Sequence, residues 1–173
     1  MLTPPYIIFI GNATHLNQLK MATSLLHFSP EKCVGYMKLP KSTVSLDIPE
    51  VSIKDAKLLG ANSFVLGAVN NGGYIEDDWL AHIAEAMDCG LNIIHGMHQL
   101  LDDCLVPTTD ITFGEYAGNH SVVIHNIRHT SKTIPIGNGK KRVGKRLLTV
   151  GTDCSSGKMF TTLTLKKALL QQG

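Results

Sequence analysis

Short apolar runs alternate along the chain with stretches of helical periodicity. Tyr6–Ile10 is continuously apolar and ends at Gly11-Asn12-Ala13, which reads as a buried strand followed by a turn. Leu16, Leu19, Ala22, Leu25 and Leu26 then recur at helical spacing up to Ser29-Pro30. The pattern predicts a second strand over 33–38, stopped by Pro40, and a short helix over 52–59, ended by Gly60. A third strand over 63–69 runs into Asn70-Asn71-Gly72-Gly73. Asp77 or Asp78 is placed to cap a helix with Leu80, Ile83, Ala84 and Met87 on one face, ending at Gly90. Strands over 91–95 and 121–127 complete the set.

Strands that are apolar nearly throughout and alternate with helices predict a parallel sheet covered on both faces. Residues 1–130 therefore read as a Rossmann-like α/β domain, with ligands expected at the C-terminal strand ends. Three of those ends carry glycine: Gly11-Asn12, the stretch from Gly67 to Gly73, and His95-Gly96-Met97-His98. No G-x-G-x-x-G follows the first strand, so a dinucleotide site is not indicated.

Composition is that of an ordinary globular chain: 173 residues, 43% hydrophobic and 17% charged. No apolar run approaches the ~18–20 residues of a membrane helix, and the N-terminus reads as a first strand rather than a signal peptide. Cys33, Cys89, Cys104 and Cys154 are far apart, with no C-x-x-C pair, as expected of reduced thiols in the cytoplasm. Charge is more informative. Up to residue 139 there are 8 Lys and Arg against 13 Asp and Glu; beyond it, 8 face Asp153 alone. The glycine-rich basic segment 131–146 reads as a linker. Its charge suits a phosphate-bearing small molecule, whereas the scarcity of aromatics argues against single-stranded nucleic acid.

The strongest chemical signal follows the linker. Arg146-Leu-Leu-Thr-Val-Gly-Thr-Asp-Cys-Ser-Ser-Gly-Lys158 is a predicted strand, a glycine-bounded loop and a Gly-Lys pair, leading into an amphipathic helix over about 158–172. A phosphate-binding loop needs those parts in that order, so that successive N–H groups turn inward and a lysine meets the phosphate at a helix N-terminus. The binding set is Gly151, Thr152, Asp153, Cys154, Ser155, Ser156, Gly157 and Lys158, with Thr161 nearby. The spacing G-x5-G-K is one residue longer than the usual P-loop and resembles the loop of dethiobiotin synthetase. Met159 stands where a P-loop places its magnesium-holding hydroxyl, and Thr161 or Thr162 would be turned differently on the helix. This favours phosphate binding over magnesium-dependent ATP hydrolysis.

The remaining candidates read more plainly. His95 and His98, with His120, His125 and His129, fit hydrogen-bonded loop histidines better than a metal site. Asp102-Asp103 fits a helix cap or a solvated turn better than a catalytic carboxylate pair. Cys154, at a helix N-terminus, is a candidate for a lowered thiol pKa.

Several blocks together resemble the D-glutamate (D-amino-acid) N-acetyltransferase family. They are Ser29-Pro30-Glu31, Cys33 to Pro40, Val65 to Gly73, Gly90 to His98, Ile127-Arg-His129 and Leu148 to Met159. Methionine at position 159 is usual in that family. Met21, Asn126 and Thr130 depart from its pattern. The resemblance implies a Rossmann-like N-terminal domain (1–130), the linker, and the first strand and helix of a P-loop domain (147–173). It also implies acetyl transfer from acetyl-CoA to a D-amino acid, with acetyl-CoA or a nucleotide at the P-loop. Asn70, Gly72, Gly73, His95, His98 and Arg128 would bind substrate, Arg128 by pairing with a carboxylate. Members are about twice as long, so the chain is expected to be the N-terminal portion, working with a second copy or with its C-terminal half. The alternatives are an ATP-binding protein like dethiobiotin synthetase and a non-catalytic assembly module. Membrane and nucleic-acid partners are not expected.

Overall fold

The computed structural model describes residues 2–129, 133–141, 143–153 and 156–172. The chain forms two compact units, Met1–Ser131 and Lys132–Gly173. The first is built on a five-stranded parallel sheet: β1 (Tyr6–Phe9), β2 (Cys33–Met37), β3 (Ser63–Leu66), β4 (Asn92–His95) and β5 (Ile124–Asn126), in the order β2-β1-β3-β4-β5. That order places a reversal of winding between β1 and β3, the position at which doubly wound sheets bind ligands.

The central strands are buried on both faces along their whole lengths, as their apolar runs require. Around them pack α1 (Lys20–Phe28), α2 (Ile53–Leu58), α3 (Asp77–Asp88) and α4 (Phe113–Asn119). Phe9 stacks on Phe64, with ring centroids 5.2 Å apart, and meets the edge of Trp79 at 5.6 Å. This aromatic group joins β1, β3 and α3.

Several elements differ from the sequence pattern. The third strand stops at Leu66, although Gly67 N still donates to Phe9 O at 2.7 Å, and Gly67 packs tightly against β1 and α1. A Cβ there would lie 2.6 Å from Ile8 Cγ2 and 3.0 Å from Ala22 Cβ. The fifth strand shortens to three residues, since Ser121 takes a left-handed φ of 55° just before it. Asp77 and Asp78 lie inside the first turn of α3, with Glu76 at the N-cap position. The fully buried face of α3 is Trp79, Ile83, Ala86 and Met87, rotated from the expected stripe; Leu80 and Ala84 pack at its margin. Helix α4 was not marked by apolar periodicity. Its signal is the capping box Thr112-x-x-Glu115, in which each side chain satisfies the other residue's backbone N–H. At the opposite end of α4, Tyr116 donates to Asp88 Oδ1 at 2.5 Å, and His120 Nε2 lies 3.2 Å from the same oxygen. These contacts tie α4 to α3.

In the second unit, α5 (Lys158–Gln172) spans the expected residues. The strand expected before the loop is not formed: residues 145–150 carry no regular structure and have no ladder partner among the described residues. Leu147, Leu148 and Val150 are largely exposed. Nor does α5 carry one apolar stripe. Met159, Leu163 and Leu170 lie on one flank and Leu165 and Leu169 on another, by the 100° step of the helix. Such a helix is suited to partners on two sides.

Two glycines should respond oppositely to the same change. Gly67→Ala is expected to destabilise the first unit by about 1–3 kcal/mol through overpacking. Gly118→Ala, in α4 where an added Cβ meets nothing within 4 Å, is expected to stabilise it by about 0.5–1 kcal/mol. Urea unfolding of the two variants checks both signs.

Candidate functional site

The loop from Gly151 to Lys158 closes through its own polar groups. The Lys158 ammonium donates to the Asp153 carbonyl and, at 3.0 Å, to Ser156 Oγ. Gly151 is needed for this closure, since a Cβ there would fall 2.4 Å from Ser156 Oγ and 3.2 Å from Lys158 Cγ. Gly157 takes a left-handed φ of 89° where the loop enters α5. The lysine thus sits at a helix N-terminus in an oxygen-lined loop, an arrangement in which an anion can replace the loop oxygens. Cys154 and Ser155, both expected in this loop, lie outside the described residues, as does Thr130. Thr152 and Asp153 are exposed on the loop.

The two threonines beyond Met159 are used differently. Thr162 Oγ1 bonds to the Lys158 carbonyl at 2.9 Å and lies 2.6 Å from Thr149 Oγ1, so it fastens the helix to the segment before the loop. Thr161 is exposed, and its N–H continues the helix by donating to Gly157 O.

In the first unit the expected residues gather at the C-terminal strand ends. The turn after β3 docks on the turn after β4: Gly73 O accepts from His98 N at 2.7 Å, and a Cβ on Gly73 would lie 2.4 Å from His98 Cδ2. Gly72 and Gly73 both take left-handed φ, 99° and 64°, to make the turn. His129 Nε2 lies 3.1 Å from His98 O, which joins the segment after β5 to the same rim. Asn126 Oδ1 accepts from the backbone N–H groups of Arg128 and His129. Arg128 Nε donates to Gly96 O at 3.0 Å, and no hydrogen bond of its terminal nitrogens is found among the described residues. An anchored guanidinium with a free fork is suited to a carboxylate.

Asn70 stands at the β1/β3 reversal. Its Nδ2 donates to Tyr74 O and to Glu76 Oε1. Asn12 Nδ2, from the turn after β1, donates to Asp78 across the same gap. Gly11, at φ 51°, lets the Trp79 indole lie against the backbone; a Cβ there would be 2.7 Å from Nε1. Trp79, Gln18 and Glu76 belong to this end of the sheet and were not singled out from sequence. Only the cluster of amide residues around 12–18 and 70–71 hinted at them.

His95 is different. Its side chain is completely buried at the end of β4, and neither ring nitrogen has a hydrogen-bond partner among the described residues. Burial pushes its pKa down to about 4; Asp102 opposes that shift and His129 adds to it. Asp102 and Asp103 are exposed in a 3-10 turn, Leu101–Asp103. Burial raises the Cys33 thiol to about 11 and also raises Cys104, so neither is an activated nucleophile. Among the described residues no three His, Cys, Asp or Glu side chains gather as a metal centre needs. No helix among them is long and apolar enough to cross a membrane.

Two family models match. Residues 38–130 match the domain of unknown function DUF1611_N, described as a Rossmann-like domain, and residues 135–173 match its partner DUF1611_C, described as a P-loop domain. The chain belongs to the DUF1611 family. A protein of Pseudoalteromonas sp named D-glutamate N-acetyltransferase is 44% identical over 173 residues, which is 99% of this chain and 50% of that protein. One of the same name from Tritonibacter scottomollicae is 34% identical over the whole chain and 50% of its own length. A DUF1611 family crystal structure from Anabaena variabilis shares the fold, with a TM-score of 0.73 at 23% identity over 99% of this chain and 51% of that one. The chain therefore spans about half the length of the curated relatives it matches.

The histidine makes a pH prediction. Its folded pKa is depressed, so between about pH 4 and 6.5 the unfolded chain binds the extra proton. Stability is full above pH 6.5 and falls as pH drops through that window. His125, also lowered by burial, acts in the same direction. His95→Gln is expected to flatten the slope of unfolding free energy against pH, measured by urea titration at several pH values.

Proposed function

We propose that the chain is the donor- and acceptor-binding portion of an N-acetyltransferase that moves an acetyl group from acetyl-CoA to a D-amino acid such as D-glutamate. The observation that carries this reading is the Lys158 loop, in which Gly151 leaves room for the lysine stem and the ammonium is held, among the described residues, by loop oxygens that an anion can displace. A phosphate of coenzyme A is the proposed anion. Met159 after the lysine and the engagement of Thr162 with Thr149 weigh against a magnesium-bound triphosphate. The relatives' name supplies the reaction.

In this reading the donor supplies the acetyl group as a thioester. The acceptor's amine nitrogen forms the new C–N bond, the C–S bond breaks, and the nitrogen's proton is balanced by the thiolate released. Arg128 holds the acceptor's carboxylate, its Nε fixed on Gly96 O so that the terminal nitrogens present a fork. Asn70, Gly72, Gly73 and His98 shape the rim on which the acceptor lies, and buried His95 keeps a neutral ring beneath it. A second copy or the C-terminal half of the family's chain completes the enzyme.

The test is calorimetric titration of the chain with coenzyme A, acetyl-CoA and ATP with magnesium, repeated for Lys158→Ala. Coenzyme A compounds are expected to bind, with affinity falling at least tenfold in the variant, as the loss of a charge-assisted contact worth about 1.5–3 kcal/mol requires. Binding of ATP with magnesium alone, or coenzyme A affinity indifferent to Lys158, overturns the reading. Arg128→Gln is expected to weaken D-glutamate binding about tenfold while leaving coenzyme A affinity unchanged.

A further inference from the structure

The β1/β3 reversal carries an opening whose lining is unlike the surroundings of Lys158 or Arg128. A cavity of about 400 Å3 opens there, within the range of small-molecule sites. It is lined by the side chains of His15, Asn17, Gln18, Asn70, Asn71 and Tyr74. None of the described lining residues is a lysine, an arginine or a carboxylate. A second cavity of about 30 Å3, room for about one hydroxyl or water, shares Gln18, Val69 and Asn70 with it and adds Glu76 and Trp79.

Two polar atoms of residues lining this smaller cavity are buried and have no hydrogen-bond partner among the described residues: Trp79 Nε1, a donor on a side chain that is 2% exposed, and Asn70 Oδ1, an acceptor. Their needs are opposite. A carboxylate accepts but cannot donate to Asn70 Oδ1, and a carboxylate or a phosphate alike meets the Glu76 carboxylate that Asn70 Nδ2 holds in place. An ammonium donates but cannot satisfy the indole N–H. A hydroxyl does both. The walls add the amides of Asn17 and Asn71, whose donors and acceptors have no partner among the described residues, and the exposed Tyr74 ring supplies an apolar face at the rim. Buried polar atoms without partners cost stability that a complementary ligand restores.

We infer that this crevice binds an uncharged polyhydroxyl ligand of about monosaccharide size, its hydroxyls satisfying Trp79 Nε1 and Asn70 Oδ1. The hydroxyls belong either to a free sugar or to the ribose of a nucleoside. The inference does not rest on the acetyltransferase reading, because the crevice contains none of the residues assigned to phosphate or carboxylate apart from Asn70 on its wall.

Trp79 is the only tryptophan in the chain, so its indole fluorescence and its single indole N–H resonance report on this smaller cavity alone. The chain is titrated with D-ribose, D-glucose and adenosine, and separately with D-glutamate and inorganic phosphate. The neutral hydroxyl ligands are expected to shift the indole resonance in a saturable way, and the anions to leave it in place. Tighter binding of adenosine than of D-ribose assigns the hydroxyls to a nucleoside; the reverse, or equality, assigns them to a free sugar. Asn70→Ala is expected to weaken the effect about tenfold. Asn17→Ala and Asn71→Ala, both exposed and without a structural hydrogen bond among those described, are expected to weaken it while preserving the fold. An indole resonance unmoved by all three neutral ligands, or moved as strongly by D-glutamate, overturns the inference. Loss of coenzyme A binding leaves the indole readout intact, so the two readings fail separately.

Discussion

A parallel sheet covered by helices on both faces leaves its central strands no wet side, and this constraint organises the first unit. The residues of β1 and β3 are buried from end to end, so they contribute only apolar packing. Every polar group with chemistry to offer is pushed to where the strands stop. The order β2-β1-β3-β4-β5 then decides which stops are open, because the helices leave the sheet in opposite directions on either side of the β1/β3 boundary. Gly67 sets how closely these strands and α1 meet. Gly11 sets how closely Trp79 approaches the neighbouring turn.

The strand ends divide into two chemical neighbourhoods. Around β4 and β5, backbone carbonyls and Asn126 hold Arg128 and the histidines, giving a rim that carries positive charge. Around β1 and β3, amides and an indole make a neutral lining above one carboxylate. The turn 70–73 joins the two, since Asn70 belongs to the second and Gly73 is packed on His98 of the first. Both neighbourhoods lie on the turns of one unit, so their difference in charge resides in the turns and not in the core.

Much of this architecture was legible in the residues. Apolar runs closed by glycine or proline gave the strands, because full burial leaves no polar alternation to confuse them. Strand lengths were less legible: Val69 looks like the continuation of Ser63–Leu66, but its N–H turns to the Gln18 carbonyl instead of a neighbouring strand. Helix α4 escaped notice because its core contribution is carried by Phe113 and Ala117 alone, while its start is written in a capping box. On the loop, Gly-Lys spacing announced phosphate chemistry, but the role of Thr162 depends on its meeting Thr149, nine residues before Lys158. Trp79 was invisible as a site residue since an indole on a helix reads first as core, and its unmet N–H appears only when its neighbours are placed.

The closure of Lys158 on its own loop has a kinetic consequence. An arriving anion does not meet a bare charge; it must exchange with the Asp153 carbonyl and Ser156 hydroxyl already holding the ammonium. The free energy of association is therefore a difference between two solvations of the same cation. When the anion leaves, those oxygens are at hand to take its place, which lowers the barrier to departure as well. A loop that supplies its own substitute ligand trades strength of grip for speed of exchange.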